Sequence, residues 1–190
     1  MKKRIFLRNI EDSGLKDLVQ RYTFDNYNTD AFENKIILNK AKMFAKDNYP
    51  FFVIMGKSGS GKTHICTAIT YRLVEKGFRA KYFLWRTDAA ILKSMVNDGD
   101  RYQEELRKLR DVDVLYIDDL FKGNVSDADI NLAFTIINDR YNSDKKKTII
   151  STELSINDLI GIDEAIAGRI VEKSRDYVVK APNKNWRMKE

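Results

Sequence analysis

The chain has 190 residues, 34 Lys and Arg against 28 Asp and Glu, a net charge of +6, and a composition that is 43% hydrophobic and 33% charged. That balance fits one globular domain with a sizeable core and excludes a disordered chain, and the longest apolar run, Phe51–Met55, is too short to span a membrane. The single cysteine, Cys66, excludes an internal disulfide and a cysteine zinc cluster, and the single histidine, His64, argues against a protease that needs a separate histidine base.

Taken in order, Met1-Lys2-Lys3-Arg4-Ile5-Phe6 is basic, but no apolar signal core follows it, which points to the cytoplasm. Residues 1–30 read as a polar linker with scattered aromatics. Within it, Tyr22-Thr23-Phe24-Asp25-Asn26-Tyr27 is compatible with packing on an adenine base and equally with a hydrophobic clasp on the core. Residues 31–46 carry Phe32, Ile36, Ile37, the Lys40 stem, Met43 and Phe44 at helical spacing, and Asn48-Tyr49-Pro50 stops that helix. The division expected is a linker and leading helix over 1–47, then a core over 48–190.

Phe51–Met55 reads as a buried strand. Gly56-Lys57-Ser58-Gly59-Ser60-Gly61-Lys62-Thr63 follows and matches the Walker A pattern G-x-x-x-x-G-K-[ST], with His64 next and a helical pattern after it. Strand, glycine-rich loop and helix in that order define a P-loop. Its glycines let backbone N–H groups approach phosphate oxygens, and the helix N-terminus faces the same anion. Lys62 is placed to reach the β- and γ-phosphates of a nucleoside triphosphate, and the Thr63 hydroxyl to ligate Mg2+.

Ile65, Cys66, Ile69 and Leu73 form one apolar stripe, so Cys66 reads as a packed core thiol, and Gly77 closes that helix. Residues 79–85 read as a second strand and 87–96 as a helix capped by Thr87. Asp98-Gly99-Asp100 breaks it, and 101–110 reads as an exposed, charged helix. Residues 112–117 form a buried strand that delivers Asp118 and Asp119 at its carboxyl end, where ligands sit in open α/β sheets. Asp118 suits Mg2+ and Asp119 suits an attacking water. The next helix presents Ile130, Phe134, Ile137 and Tyr141 as its core face. Lys145-Lys146-Lys147 reads as a solvated loop before the strand Thr148-Ile149-Ile150-Ser151, which ends in Thr152-Glu153. Residues 154–160 and 163–172 read as short helices, the second carrying Arg169. Tyr177-Val178-Val179 is a last strand, and a polar tail with Asn185-Trp186-Arg187 follows. The fold class is α/β, a five-stranded parallel sheet with helices on both faces and no full C-terminal helical lid.

The P-loop ending Gly-Lys-Thr-His, the Ile117-Asp118-Asp119-Leu120 strand end, Asn138-Asp139-Arg140-Tyr141, and Asp163-Glu164-Ala165-Ile166-Ala167-Gly168-Arg169-Ile170 are similar to one group of proteins. The set resembles the AAA+ ATPase domain of DnaC- and DnaI-type bacterial replicative helicase loaders and their relative, the IstB-type transposition helper ATPase, over residues 22–187. The resemblance implies an ATPase that acts in DNA replication, self-associates with ATP between neighbours, and binds single-stranded DNA and a replicative DNA helicase. It implies that Lys62, Thr63 and Asp118 hold nucleotide and metal, with Asp119 at the water. Arg169 matches the arginine finger given to a neighbour's γ-phosphate, worth a factor of about 10³–10⁵ in rate, and Arg187 the late arginine that senses the γ-phosphate in cis. Trp85, Arg86 and Lys93 lie where this group contacts DNA. Two departures stand out. The sensor position, often Asn, reads Thr152-Glu153, and the residues before the P-loop strand show no helicase-gripping domain.

The net charge permits nucleic-acid contact without demanding it. The transposition helper shares the same chemistry with a different partner. A P-loop small-molecule kinase needs an arginine-rich lid, and none is legible. A non-hydrolysing nucleotide-dependent scaffold is kept open by Glu153.

Overall fold

The computed structural model describes residues 2–143, 145–186 and 188, with the side chains of residues 2–5 left out of the description. Five strands form one sheet: β1 (Phe51–Met55), β2 (Ala80–Leu84), β3 (Val114–Asp118), β4 (Lys147–Thr152) and β5 (Val178–Lys180). All pairings are parallel, in the order β2-β3-β4-β1-β5. This is the five-stranded parallel α/β sheet expected from the sequence.

The strands alternate their side chains between two cores, as the two-residue period of a strand requires. Phe52, Ile54, Tyr116 and Ile149 face one core; Phe51, Val53, Leu115, Ile117 and Ile150 face the other. The first is covered by α1 (Lys2–Ser13), α2 (Lys16–Val19), α3 (Phe32–Phe44) and α4 (Lys62–Glu75). The second is covered by α5 (Ala90–Ser94), α6 (Gly99–Asp111), α7 (Asp127–Tyr141), α8 (Ile156–Ile162) and α9 (Glu164–Ser174). Strands buried on both faces need apolar residues at every position, which explains the unbroken hydrophobic runs of β1 and β3. Among the described residues, no helix is long and apolar enough to cross a membrane.

Several local readings are corrected. Part of the segment read as a polar linker is helical, and Ile10, Leu15 and Val19 enter the first core. On α3 the buried face is Ile37, Ala41 and Phe44, whereas Phe32, Ile36 and Met43 are exposed. On α7, Ile137 is buried as expected but Phe134 is exposed, and Leu132, Ala133, Ile136 and Arg140 complete the inner face. The helix expected at 87–96 begins earlier, as a π-helical turn over Trp85–Ala89, and Asp88 rather than Thr87 receives the Leu84 N–H, at 2.7 Å. Lys147 does not belong to a solvated loop: it is buried in β4 and donates to the carbonyls of Phe44, Asp47 and Tyr49 at 3.1, 2.7 and 2.9 Å. Cys66 is the buried thiol expected, and burial raises its pKa well above the ordinary value.

Candidate functional site

β1 ends at Met55 and α4 begins at Lys62, and the loop between them is built on glycine. Gly59 and Gly61 hold φ of 77° and 93°, a left-handed conformation that other residues adopt only under strain. A Cβ on Gly56 would meet the Ala181 Cβ at 2.9 Å. No side chain caps the α4 N-terminus at Gly61, so the first-turn N–H groups are open to an anion. Lys62 is buried. Its Nζ donates back to the loop carbonyls of Gly56 at 2.7 Å and Lys57 at 3.1 Å. Burial lowers its pKa, while Asp119 and Glu153 act to raise it.

The acidic end of β3 lies beside this loop because β3 is flanked by β2 and β4 in register, with Leu84 opposite Asp118. Asp118 is buried. Its carboxylate accepts from Ser151 Oγ at 2.5 Å and Tyr82 Oη at 2.9 Å, and Thr63 Oγ1 lies 3.4 Å from each of its oxygens. Thr63 and Asp118 therefore offer an oxygen-only pair of the kind hard cations take. Among the described residues there is no group of three or more His, Cys, Asp and Glu side chains able to hold a metal by themselves. Asp119 has a φ of 58°, and its N–H donates to Ser151 Oγ at 2.9 Å. Lys122 Nζ donates to Asp119 Oδ2 at 2.9 Å and lies 2.9 Å from Glu153 Oε1.

One cavity is walled by Ser58, Gly59, Ser60, Gly61, Lys62, Thr63 and His64, together with Tyr22, Asp119, Lys122 and Trp186. Gly56 and Lys57 contribute carbonyls to Lys62 rather than walls. The aromatic segment near residue 22 divides its roles. Phe24 and Tyr27 are buried in the core, the clasp reading, while Tyr22 lies 4.9 Å from the His64 ring at the cavity wall. His64 Nε2 sits 2.9 Å from both Thr23 O and Asn26 Oδ1. Both are acceptors, so Nε2 carries the proton; burial lowers the pKa of the ring.

Arg169 stands apart from this cavity. It is half-buried on α9, with Nε donating to Asn138 Oδ1 at 3.2 Å and its guanidinium 4.8 Å from the centre of the Phe134 ring. Arg187 lies outside the described residues. Of the three residues matched to DNA contact, Trp85 is buried between Phe83 and Phe121, Lys93 pairs with Asp129 at 2.6 Å, and Arg86 is exposed. Sequence reasoning missed Lys122 and Tyr82. Tyr82 reaches Asp118 only because β2 pairs with β3, and Lys122 only because residues 119–123 turn back. Neither has a motif; the spacing of a Lys three residues after Asp119 is the one available signal.

The model of the IstB-like ATP binding protein family matches residues 2–190. The uncharacterized protein YqaM of Bacillus subtilis is 30% identical over 194 residues, covering 94% of this chain and 61% of that protein. The replicative helicase loader DnaC of Escherichia coli is 27% identical over 175 residues, covering 88% of this chain and 69% of that protein. The crystal structure of the DnaC helicase loader superposes with a TM-score of 0.76 at 24% identity, over 87% of this chain and 99% of that one. The chain thus spans 61% of the length of its relative YqaM. With its P-loop, its Asp118-Asp119 strand end and its sheet order, the chain belongs to the family of IstB-like ATP-binding proteins and has the fold of an AAA+ P-loop NTPase.

Proposed function

We propose that this protein hydrolyses ATP between neighbouring copies of itself and acts in DNA replication as a helicase loader that binds single-stranded DNA and a replicative helicase. The observation that carries the ATPase reading is the meeting of Lys62, Thr63, Asp118 and Asp119 at one open helix N-terminus. The loader role is supported by similarity to the proteins named replicative helicase loader DnaC. Lys62 leaves its two loop carbonyls for phosphate oxygens, and the first-turn N–H groups of α4 receive the same phosphates. Mg2+, which neutralises phosphate charge during transfer, would be held by Thr63 and Asp118. Asp119 orients the attacking water.

Arg169 acts on the neighbouring copy. The aromatic face of Phe134 and the Asn138 amide hold its guanidinium away from the cavity of its own chain, as a finger given in trans requires. DNA phosphates are met by exposed cations such as Arg86. Trp85 offers no stacking face, being buried. A transposition-helper role, the alternative that the resemblance implies, rests on the same site and is compatible with the IstB-like ATP-binding family model.

ATP turnover measured over a range of protein concentrations, with and without single-stranded DNA, tests the reading. Specific activity should rise with concentration and respond to DNA. Arg169→Ala should still bind ATP and should pull mixtures with wild type below the average of the two. Activity constant per molecule, with mixtures that merely average, would remove the shared site.

A further inference from the structure

The turn after β3 is held in an unusual shape. Asp119 and Phe121 have φ of 58° and 59°, and Gly123 has 104°. Two non-glycine residues in the left-handed region cost energy, and such strain persists only where surroundings over-determine it. Here they do. Leu120 N donates to Ser151 O at 2.9 Å, Thr152 Oγ1 donates to Leu120 O at 2.9 Å, and Leu120 and Phe121 are buried, with Phe121 edge-on to Trp85. The result is to bring Lys122 back onto the cavity, where its ammonium sits 2.9 Å from Asp119 Oδ2 and 2.9 Å from Glu153 Oε1.

Glu153 is placed as firmly. Thr152 O accepts from Gly56 N at 3.1 Å, so the residue after it stands at the start of the P-loop. Asp118, Asp119 and Glu153 therefore gather at the mouth of a site built for a polyanion. Lys62 and Lys122 are the cations among the residues acting on that site. Burial lowers the basicity of Lys122, but its bonds to Asp119 and Glu153 hold its pKa above the ordinary lysine value, so it is charged at neutral pH.

We propose that Lys122 is a γ-phosphate contact that lets the site distinguish a nucleoside triphosphate from a diphosphate. Without a γ-phosphate the ammonium neutralises Asp119 and Glu153. With one, it moves to the γ-phosphate oxygens and releases Asp119 to orient water. The proposal rests on the ATP-site reading above and adds a residue to it: the γ-phosphate contact that a polar sensor at the end of β4 would supply comes instead from a cation on the turn after β3.

The test is equilibrium binding of ADP and of a non-hydrolysable ATP analogue, each with Mg2+, to wild type, Lys122→Met, Lys122→Arg, Glu153→Gln and the Lys122→Met, Glu153→Gln double variant. Losing a charge-assisted contact should weaken analogue binding by about 10–100-fold, and ADP binding by less than about threefold. Lys122→Arg, which keeps the charge, should retain most of the preference and serves if Lys122→Met fails to fold. The double variant should remain unable to prefer the analogue. Recovery of the preference in the double variant would mean that Lys122 only cancels Glu153, and would overturn the proposal. Equal losses for both nucleotides would overturn it too. Wild type that binds neither nucleotide would overturn the ATP-site reading beneath it, whereas wild type that binds both without preference would overturn the contact alone.

Discussion

The two ends of the sheet bury cations in different ways. At the carboxyl end, Lys62 donates to two carbonyls of its own loop, at Gly56 and Lys57. At the amino end, Arg140 is fully buried and donates to the carbonyls of Leu109, Arg110, Val112, Asp113 and Lys147 and to Thr148 Oγ1. Lys147 sits at the same end, over the Phe44 ring, on three further carbonyls. Neither end solves burial by pairing the cation with a buried carboxylate. The difference is who owns the acceptors. Lys62 holds a loop whose glycines leave room to rearrange, so an incoming anion can replace its partners. Arg140 joins the end of α6, the start of β3 and the start of β4; it shares the Arg110 and Asp113 carbonyls with Lys146 Nζ and the Lys147 N–H, and no mobile loop lets its acceptors move away. One cation is exchangeable and the other is a joint.

Substitutions sharpen that contrast. The largest effect is expected from Lys62→Ala, which removes at least two charge-assisted bonds to phosphate. At about 1.5–3 kcal/mol each, ATP affinity should drop by at least about 100-fold, with little change in melting temperature. Titration calorimetry beside a thermal melt checks this; normal binding would sink the P-loop assignment. Arg140→Met should do the reverse. Each buried carbonyl left without a donor costs about 1–3 kcal/mol, so stability should fall by about 3 kcal/mol or more in urea unfolding while the folded fraction still binds ATP. An unchanged urea midpoint would break the distinction between joint and exchangeable cation.

Lys147→Met should cost less, about 1–2 kcal/mol, because its acceptors lie nearer the surface. Burial pushes the Lys147 pKa down from its ordinary value of 10.5 to about 8. Its folded pKa is thus below its unfolded one, so unfolding takes up a proton between those values. The contribution is present above about 10.5 and is lost as pH falls through about 8. Stability of the wild type should carry a positive slope from this group across that window, and Lys147→Met should flatten it.

What the sequence made legible follows from range. The P-loop, the Asp118-Asp119 strand end and the individual strands rest on neighbours a few residues apart, where glycine conformation and hydrophobic runs decide the outcome. Arg140 and Lys147 were opaque because their partners are distant in sequence: Arg140 reaches back to Leu109 and Lys147 to Phe44. A charge run normally solvates, and Lys147 departs from that only because β4 pairs beside β1. The inner face of α7 was half read, and the helical spacing of α3 named no inner face. Both helices carry apolar residues on more than one side, so periodicity alone could not choose the side that meets the sheet. The Lys122 contact needed positive φ at Asp119 and Phe121, which no propensity announces.

The segment after β5 also returns to the P-loop. Trp186 N donates to Gly59 O at 3.0 Å, and a Cβ on Gly59 would meet Asn185 Oδ1 at 1.9 Å. Mechanically, that makes the loop a point of attachment. A pull on the polypeptide at Trp186 reaches Gly59 through that hydrogen bond before it loads the three residues of β5. Tension from anything fastened there would therefore be felt first at the P-loop, and only afterwards by the sheet.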